Sequence, residues 1–301
     1  MFSPPYLVFS IGLILLGLIL NGLMMKVLLC KWLRGRRLCP RDQILLSLSA
    51  SNTIITIQET LVNFAVKSAF VAQIIYVGET FVILCRCWIT AWLSVFLCVK
   101  IVSCNHKLFL LCKLRISEWV PWLLLGSVFI SSLPSATVFW NMSVPSQRNT
   151  TAEVSDLAKY LQFRPSVPYL IILLGVFIAP LLLVLLCSIL SIASLFSHVC
   201  HLKSQGPQFT RSQMKAHIKA AVALICFSLL YLSLAVVETL MILQMDVMDS
   251  NVSPARVMIN LFFGPGEAAI LIAVNPQLKW AVTFLLPHWL LPQSRLLPAS
   301  T

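Results

Sequence analysis

The chain has 301 residues, of which 59% are hydrophobic and only 11% charged, with a formal net charge of +12. Soluble domains carry about 25% charged residues, so this chain has too little polar surface to hold its apolar bulk in water. A water-soluble fold is excluded.

Seven apolar segments follow one another at 7–30, 43–66, 80–99, 119–140, 169–196, 218–243 and 257–278, ahead of a short tail, 279–301. Each reaches the ~20 residues a bilayer-spanning helix needs. The expected fold is all-α, a single seven-transmembrane-helix membrane domain over 1–301 with an extracellular N-terminus and a cytoplasmic C-terminus. No basic region precedes the first segment, because Lys26 is the first charge. That segment is expected to stay as a spanning anchor rather than to be removed as a signal peptide.

The charges support this orientation. With the N-terminus outside, fifteen Lys and Arg fall on the inner side, against Asp42 and Glu118 only. The outer side balances, with five basic and five acidic residues. Excess Lys and Arg in inner loops is how membrane proteins set their orientation. The basic run Lys31–Arg41 therefore reads as orientation and lipid contact, and nucleic acid is not an expected partner. Three N-x-Ser/Thr sequons, at Asn141, Asn149 and Asn251, all fall in loops on the neutral side. Glycosylation needs such a lumenal loop. Asn149 is the best placed, mid-loop; Asn141 lies close to the membrane.

Ten cysteines suggest a disulfide framework until they are placed. None lies in the outer loops 141–168 or 244–256. Cys85 and Cys87 are near the outer face, but two residues apart on a helix they point in different directions. No extracellular-loop disulfide is expected.

Polar groups inside a bilayer are costly and default to function. Helix 2 carries Asn52, Glu59 and Asn63 on one face, and helix 7 carries Asn260 and Glu267 with Gly264 between them. Helix 6 has Tyr231 and Glu238, and helix 3 has Trp88 and Trp92. Each stripe is expected to turn inward. At 1.5 Å per residue, Asn21, Asn52 and Glu267 share a height in the inner half. They form either structural glue between helices or a layer that acts in activation. Glu59, Asn63, Trp88, Trp92, Glu238, Val257 and Asn260 lie in the outer half, lining either a closed interior or a ligand cavity. Ionised, two carboxylates there favour basic ligands; burial works the other way by favouring their neutral forms. Arg86 is expected to snorkel outward or to pair with Glu79.

No H-E-x-x-H, G-x-S-x-G or P-loop occurs, so the chain is not expected to be an enzyme or to need a cofactor. His198 and His201 flank Cys200 at a helix end. A cationic inner helix end explains them better than a metal site, and no metal is expected.

Rhodopsin-like receptor signatures are absent: helix 3 does not end in an acid-Arg-aromatic triplet, and helix 6 has no Cys-Trp-x-Pro hinge. What is present resembles the type 2 (bitter) taste receptors, a family of G-protein-coupled receptors, from the first helix to the last. The strongest match is Trp88-Ile-Thr-Ala-Trp-Leu-Ser-Val-Phe-Leu-Cys-Val-Lys-Ile101, continued by Asn105-His-Lys-Leu-Phe-Leu110 and Arg115-Ile116. The first inner loop from Trp32 through Arg41 to Leu48 is similar too. So are Ser194-Leu195 with His198, Ala216-His-Ile-Lys-Ala220, Phe227-Ser-Leu-Leu-Tyr231, Leu271-Ile272 and Asn275-Pro276-Gln-Leu-Lys279. The resemblance implies small-molecule (bitter) agonists contacting Trp88 and Trp92, with Asn63, Glu238, Val257 and Asn260 at matching pocket positions. It implies a heterotrimeric G protein of gustducin type meeting Lys100, Arg115, His198, Lys215 and His217, and residence in the plasma membrane. The family usually has Arg at Asn52, His-Ser at Glu267-Ala268, Tyr at Leu97 and an aromatic at Leu234, so this chain resembles a divergent member. A vomeronasal type 1-like chemoreceptor and a seven-helix transporter are the rival readings.

Overall fold

Apolar side chains dominate the helices of this protein, but many of them point outward and the polar ones point in. In lipid the backbone must satisfy its own hydrogen bonds, so an apolar stretch becomes a helix. With no water to escape, such a helix buries its few polar groups instead. The computed structural model describes residues 4–35, 37–64, 69–102, 107–143, 162–163, 167–204, 222, 224–237 and 252–285.

The described helices are α1 (Pro4–Leu33), α2 (Pro40–Phe64), α3 (Ala69–Ile101), α4 (Lys107–Asn141) and α5 (Val167–Ser204). They continue with α6 (Leu224–Val237), α7 (Val252–Val274) and α8 (Pro276–Leu285). β1 (Met142–Ser143) and β2 (Gln162–Phe163) make a two-residue antiparallel ladder across the loop after α4, with Met142 opposite Phe163. This small pairing lay outside the all-α expectation, and the fold class is unchanged by it. Five described helices (α1, α3, α4, α5 and α7) are long and apolar enough to cross a membrane. α2 has the length, 25 residues, but spends it on a Ser, Thr, Asn and Glu stripe that lowers its hydropathy.

α3 is the axis. It packs against α2, α4 and α5, while α1 packs on α2 and α7. Of its most apolar stretch 78% is buried, against 22% in α4. On the rim, Phe129, Leu133, Leu182 and Ile189 are exposed large hydrophobics, a surface suited to lipid.

Several boundaries differ from the sequence expectation. α3 begins at Ala69 rather than residue 80, and α4 at Lys107 rather than 119. An apolar window detects only the stretch matched to hydrocarbon; the hydrogen-bond ladder runs on through Gln73 and Glu79 of α3, both buried between helices. α5 reaches Ser204, into what reads as an inner loop. α7 stops at Val274, not 278. There the Asn275 side chain accepts a bond from the Gln277 N–H at 3.1 Å, with Pro276 first in α8. An Asn cap followed by Pro is a helix start, so the chain restarts as α8. That helix buries Leu278 and Val282 and exposes Trp280. α1 ends at Leu33, and Gly35 just beyond it, with a φ of 73°, is the left-handed stop that glycine accepts most cheaply.

The turn between α1 and α2 is tied down by an ion pair between Lys31 of α1 and the buried carboxylate of Asp42 in α2. Beside it, partial burial raises the Cys39 thiol above its ordinary value, and the neighbouring Asp42 carboxylate adds to the rise. A raised thiol holds less thiolate at neutral pH, and thiolate is the nucleophile. Maleimide should therefore label Cys39 more slowly than Cys30, although both are exposed, with a rate that still climbs above the usual thiol range. Asp42→Asn should speed Cys39 labelling, read by mass spectrometry of the two peptides. An unchanged rate would refute the coupling.

Candidate functional site

Polar side chains meet inside the bundle at two heights. The inner set joins four helices. Asn52 of α2 uses both hydrogens of its amide nitrogen, one to Oε2 of Glu267 at 2.8 Å and one to Oδ1 of Asn21 at 3.4 Å. The Thr90 hydroxyl on α3 donates to the other Glu267 oxygen, Oε1, at 3.2 Å. Asn21 in turn donates to the Gly17 carbonyl at 3.0 Å and to the Gly264 carbonyl at 3.4 Å. Asn21, Asn52, Thr90 and Glu267 are all buried. The approach is close because Gly264 has no side chain: a Cβ there would stand 3.5 Å from the Asn52 Cβ.

Two helical turns outward, the Asn260 amide of α7 donates to Oε1 of Glu59 on α2 at 3.1 Å, and both residues are buried. The α2 and α7 stripes thus meet twice, at Glu59–Asn260 and at Asn52–Glu267. This follows from matched spacings of seven residues on two antiparallel helices.

α3 behaves differently from the sequence expectation. Trp92 donates its indole N–H to the Ser127 hydroxyl of α4 at 3.0 Å, and Trp88 lies against it with ring centroids 5.7 Å apart. This stripe turns toward α4. The inward face of α3 is instead Arg86, Thr90 and Ser94, spaced four apart and all buried. That spacing was visible in the sequence. Arg86 neither snorkels nor bonds to Glu79; its guanidinium carbon sits 4.4 Å from the centre of the Phe263 ring of α7. Trp92→Phe, which removes this bond and part of the packed ring, should lower stability by about 1–3 kcal/mol, measured by thermal unfolding in detergent. No loss would mean the bond is absent in the membrane.

The remaining predicted positions separate. Val257 is half-buried and packs near Leu13 and Ile14 of α1. Asn63 lies in the last turn of α2, with its side chain outside the described residues. Glu238, Lys215, His217, Asn149 and Asn251 lie outside the described residues, as do the side chains of His198 and Asn141. Lys100 is exposed at the end of α3, near the Phe96 ring, and Arg115 is exposed on α4. Between the ends of α2, α3, α6 and α7 lies an open cavity of about 80 Å³, whose lining includes Arg41, Leu93, Leu97, Phe227, Leu271 and Val274. Nothing in the sequence pattern announced it, since apart from Arg41 its residues are apolar ones on four separate segments.

A membrane-embedded helical bundle with a polar core and an opening at one set of helix ends has the architecture of an integral-membrane receptor. Residues 3–289 match the family model of the taste receptor proteins (TAS2R). Relatives include taste receptor type 2 member 41 of Pan paniscus, 30% identical over 222 residues that cover 67% of this chain and 68% of the relative. Member 60 of Gorilla gorilla gorilla is 32% identical, covering 67% of each chain. Member 39 of Homo sapiens is 29% identical, covering 83% of this chain and 77% of the relative. The chain belongs to the taste receptor type 2 family, seven-helix G-protein-coupled receptors for bitter taste. It is accordingly a multi-pass membrane protein that binds ligands and couples to a G protein, in a family of receptors rather than enzymes.

Proposed function

We propose that this receptor takes bitter small molecules from the outer face, into the region bounded by Glu59, Asn260 and the outer ends of α3, α6 and α7. Trp88, Trp92, Asn63, Glu238 and Val257 belong to the walls or entrance of that region, with the tryptophans on its α4 side. Binding favours an active arrangement of the bundle and so shifts its population. Asn21, Asn52 and Glu267 form the layer through which α7 moves against α1 and α2. A heterotrimeric G protein of gustducin type docks at the inner cavity, steered by Lys100, Arg115, His198, Lys215 and His217. An acidic partner surface suits this basic face. The N-terminus then faces outward, Asn149, Asn141 and Asn251 are the candidate glycan sites, and the site of action is the plasma membrane with its lipid.

The observation that carries this reading lies on α7. One helix holds Asn260 against Glu59, Glu267 against Asn52 and Thr90, and Leu271 and Val274 in the wall of the inner cavity. A displacement of its outer half is thereby transmitted to the cavity.

The test is a screen of bitter compounds on cells expressing the full chain with a promiscuous G-protein α subunit. At least one compound should evoke calcium release that disappears without the α subunit. A receptor detected at the surface that answers no compound, or one that takes up compound without signalling, would refute the reading. Glu59→Gln should weaken the potency of an agonist that contacts it by about ten- to a hundredfold, one lost charge-assisted contact being worth about 1.5–3 kcal/mol.

A further inference from the structure

Arg86 is 1% exposed, and its Nε, Nη1 and Nη2 have no hydrogen-bond partner. A guanidinium presents five N–H donors along its planar edge. Phe263 covers the face of that plane at 4.4 Å, and a ring face accepts charge but leaves the edge donors unused. Burying such a group without acceptors is expensive, and an ionisable side chain inside a membrane protein marks a functional site by default.

A second weakly matched donor stands beside it. Tyr231 of α6 is 1% exposed, and its hydroxyl faces the Cys87 thiol, a weak acceptor, with no oxygen or nitrogen partner. The Tyr231 ring meets the edge of the same Phe263 at 6.4 Å. Both donors therefore flank one aromatic ring, within a buried cluster that includes Ile83, Leu84 and Leu234. Apolar surroundings strengthen any charge interaction made there.

Glu267 does not fill the role of acceptor. It acts on Arg86 through space, but no Arg86 nitrogen lies within hydrogen-bond reach of its oxygens, which accept from Asn52 and Thr90 instead. Glu59 is engaged with Asn260 farther out.

We propose that Arg86 and the Tyr231 hydroxyl form a buried site for one monovalent anionic group, a carboxylate or a halide, at the junction of α3, α6 and α7. The guanidinium fork matches the two oxygens of a carboxylate, and the hydroxyl supplies a further donor from the facing helix. Where the group is the acid end of an agonist, the site reverses the ligand preference suggested by Glu59 and Glu238: the unmatched buried charge is positive, so acids are favoured. That case rests on the receptor reading above; the halide case does not.

The test uses the purified full-length receptor in nanodiscs and follows thermal unfolding. Chloride is compared with sulfate at matched ionic strength, and sodium benzoate with benzamide. Anything that binds the folded state raises its melting temperature with concentration. The wild type should gain several degrees with chloride, assigning a free halide, or with benzoate alone, assigning the acid group of a ligand. Arg86→Gln should abolish the gain, Arg86→Lys should keep part of it, and Tyr231→Phe should weaken it. No specific gain from either anion in the wild type overturns the proposal. The same gain in Tyr231→Phe and Arg86→Gln also overturns it. If Arg86→Gln does not fold, an undiminished gain in Tyr231→Phe is enough to refute the site as drawn. A receptor that binds either anion through Arg86 yet signals to no bitter compound would sink the receptor reading and leave the anion site standing.

Discussion

Glu267→Leu is expected to lower the stability of the bundle by about 3 kcal/mol and to strip most of the receptor from the cell surface. The carboxylate accepts from Asn52 and Thr90 at once, and it is wholly buried. Deleting it leaves both donors facing leucine, and each buried orphan costs about 1–3 kcal/mol. Hydrogen bonds between membrane helices are individually weak, around 0.6–2 kcal/mol, so the large effect comes from two donors being stranded together. The combination Asn52→Leu with Glu267→Leu should be less harmful than the sum of the two, by about 1–2 kcal/mol. Additive losses in that cycle, read by thermal unfolding of purified variants, would mean the two residues do not share a bond. Glu267→Gln keeps the shape and one acceptor, and should retain expression.

Gly264→Leu is the second large effect, again about 3 kcal/mol. Gly264 stands where α7 crosses α2 and α1, and a Cβ there would lie 3.5 Å from the Asn52 Cβ and 3.8 Å from the Asn21 amide nitrogen. Those are ordinary contacts, so Gly264→Ala fits, and the gain in helix propensity of up to about 1 kcal/mol makes it neutral or mildly stabilising. Leucine has no room to extend. It would push α7 off α2 and pull Glu267 away from Asn52. Equal expression and melting of the Ala and Leu variants would show that the helices do not approach this closely. Gly17 is a companion position, where a Cβ would meet Pro265 at 3.4 Å.

Much of this protein was legible in its sequence because a bilayer imposes one strong rule. Apolar length makes helices, and the sidedness of Lys and Arg sets the expected orientation. Regular spacing on α2 and α7 placed Asn52, Glu59, Asn260 and Glu267 on facing stripes, and the structure joins them in two pairs. α3 was harder. Its two tryptophans drew attention as large aromatics, whereas the residues that turn inward are Arg86, Thr90 and Ser94. A period of four identifies a shared face but not which neighbour that face meets. On a helix surrounded by partners, every face meets something.

The sequence alone determined that the chain lives in lipid, the order of its helices, the residues able to carry polar contacts within them, and a resemblance later matched by the family comparison. Tertiary structure decided which stripe of α3 faces the core, that Asn275 and Pro276 end α7 and begin α8, and that four separate apolar segments leave a cavity at their ends. It also decided the fate of Arg86, buried on Phe263 rather than drawn to the surface. The physical reason is common to all of these. Partition into lipid acts on each segment separately and can be summed along the chain. The direction a side chain takes inside the bundle depends on the rotation of each helix against its neighbours, which no single segment contains.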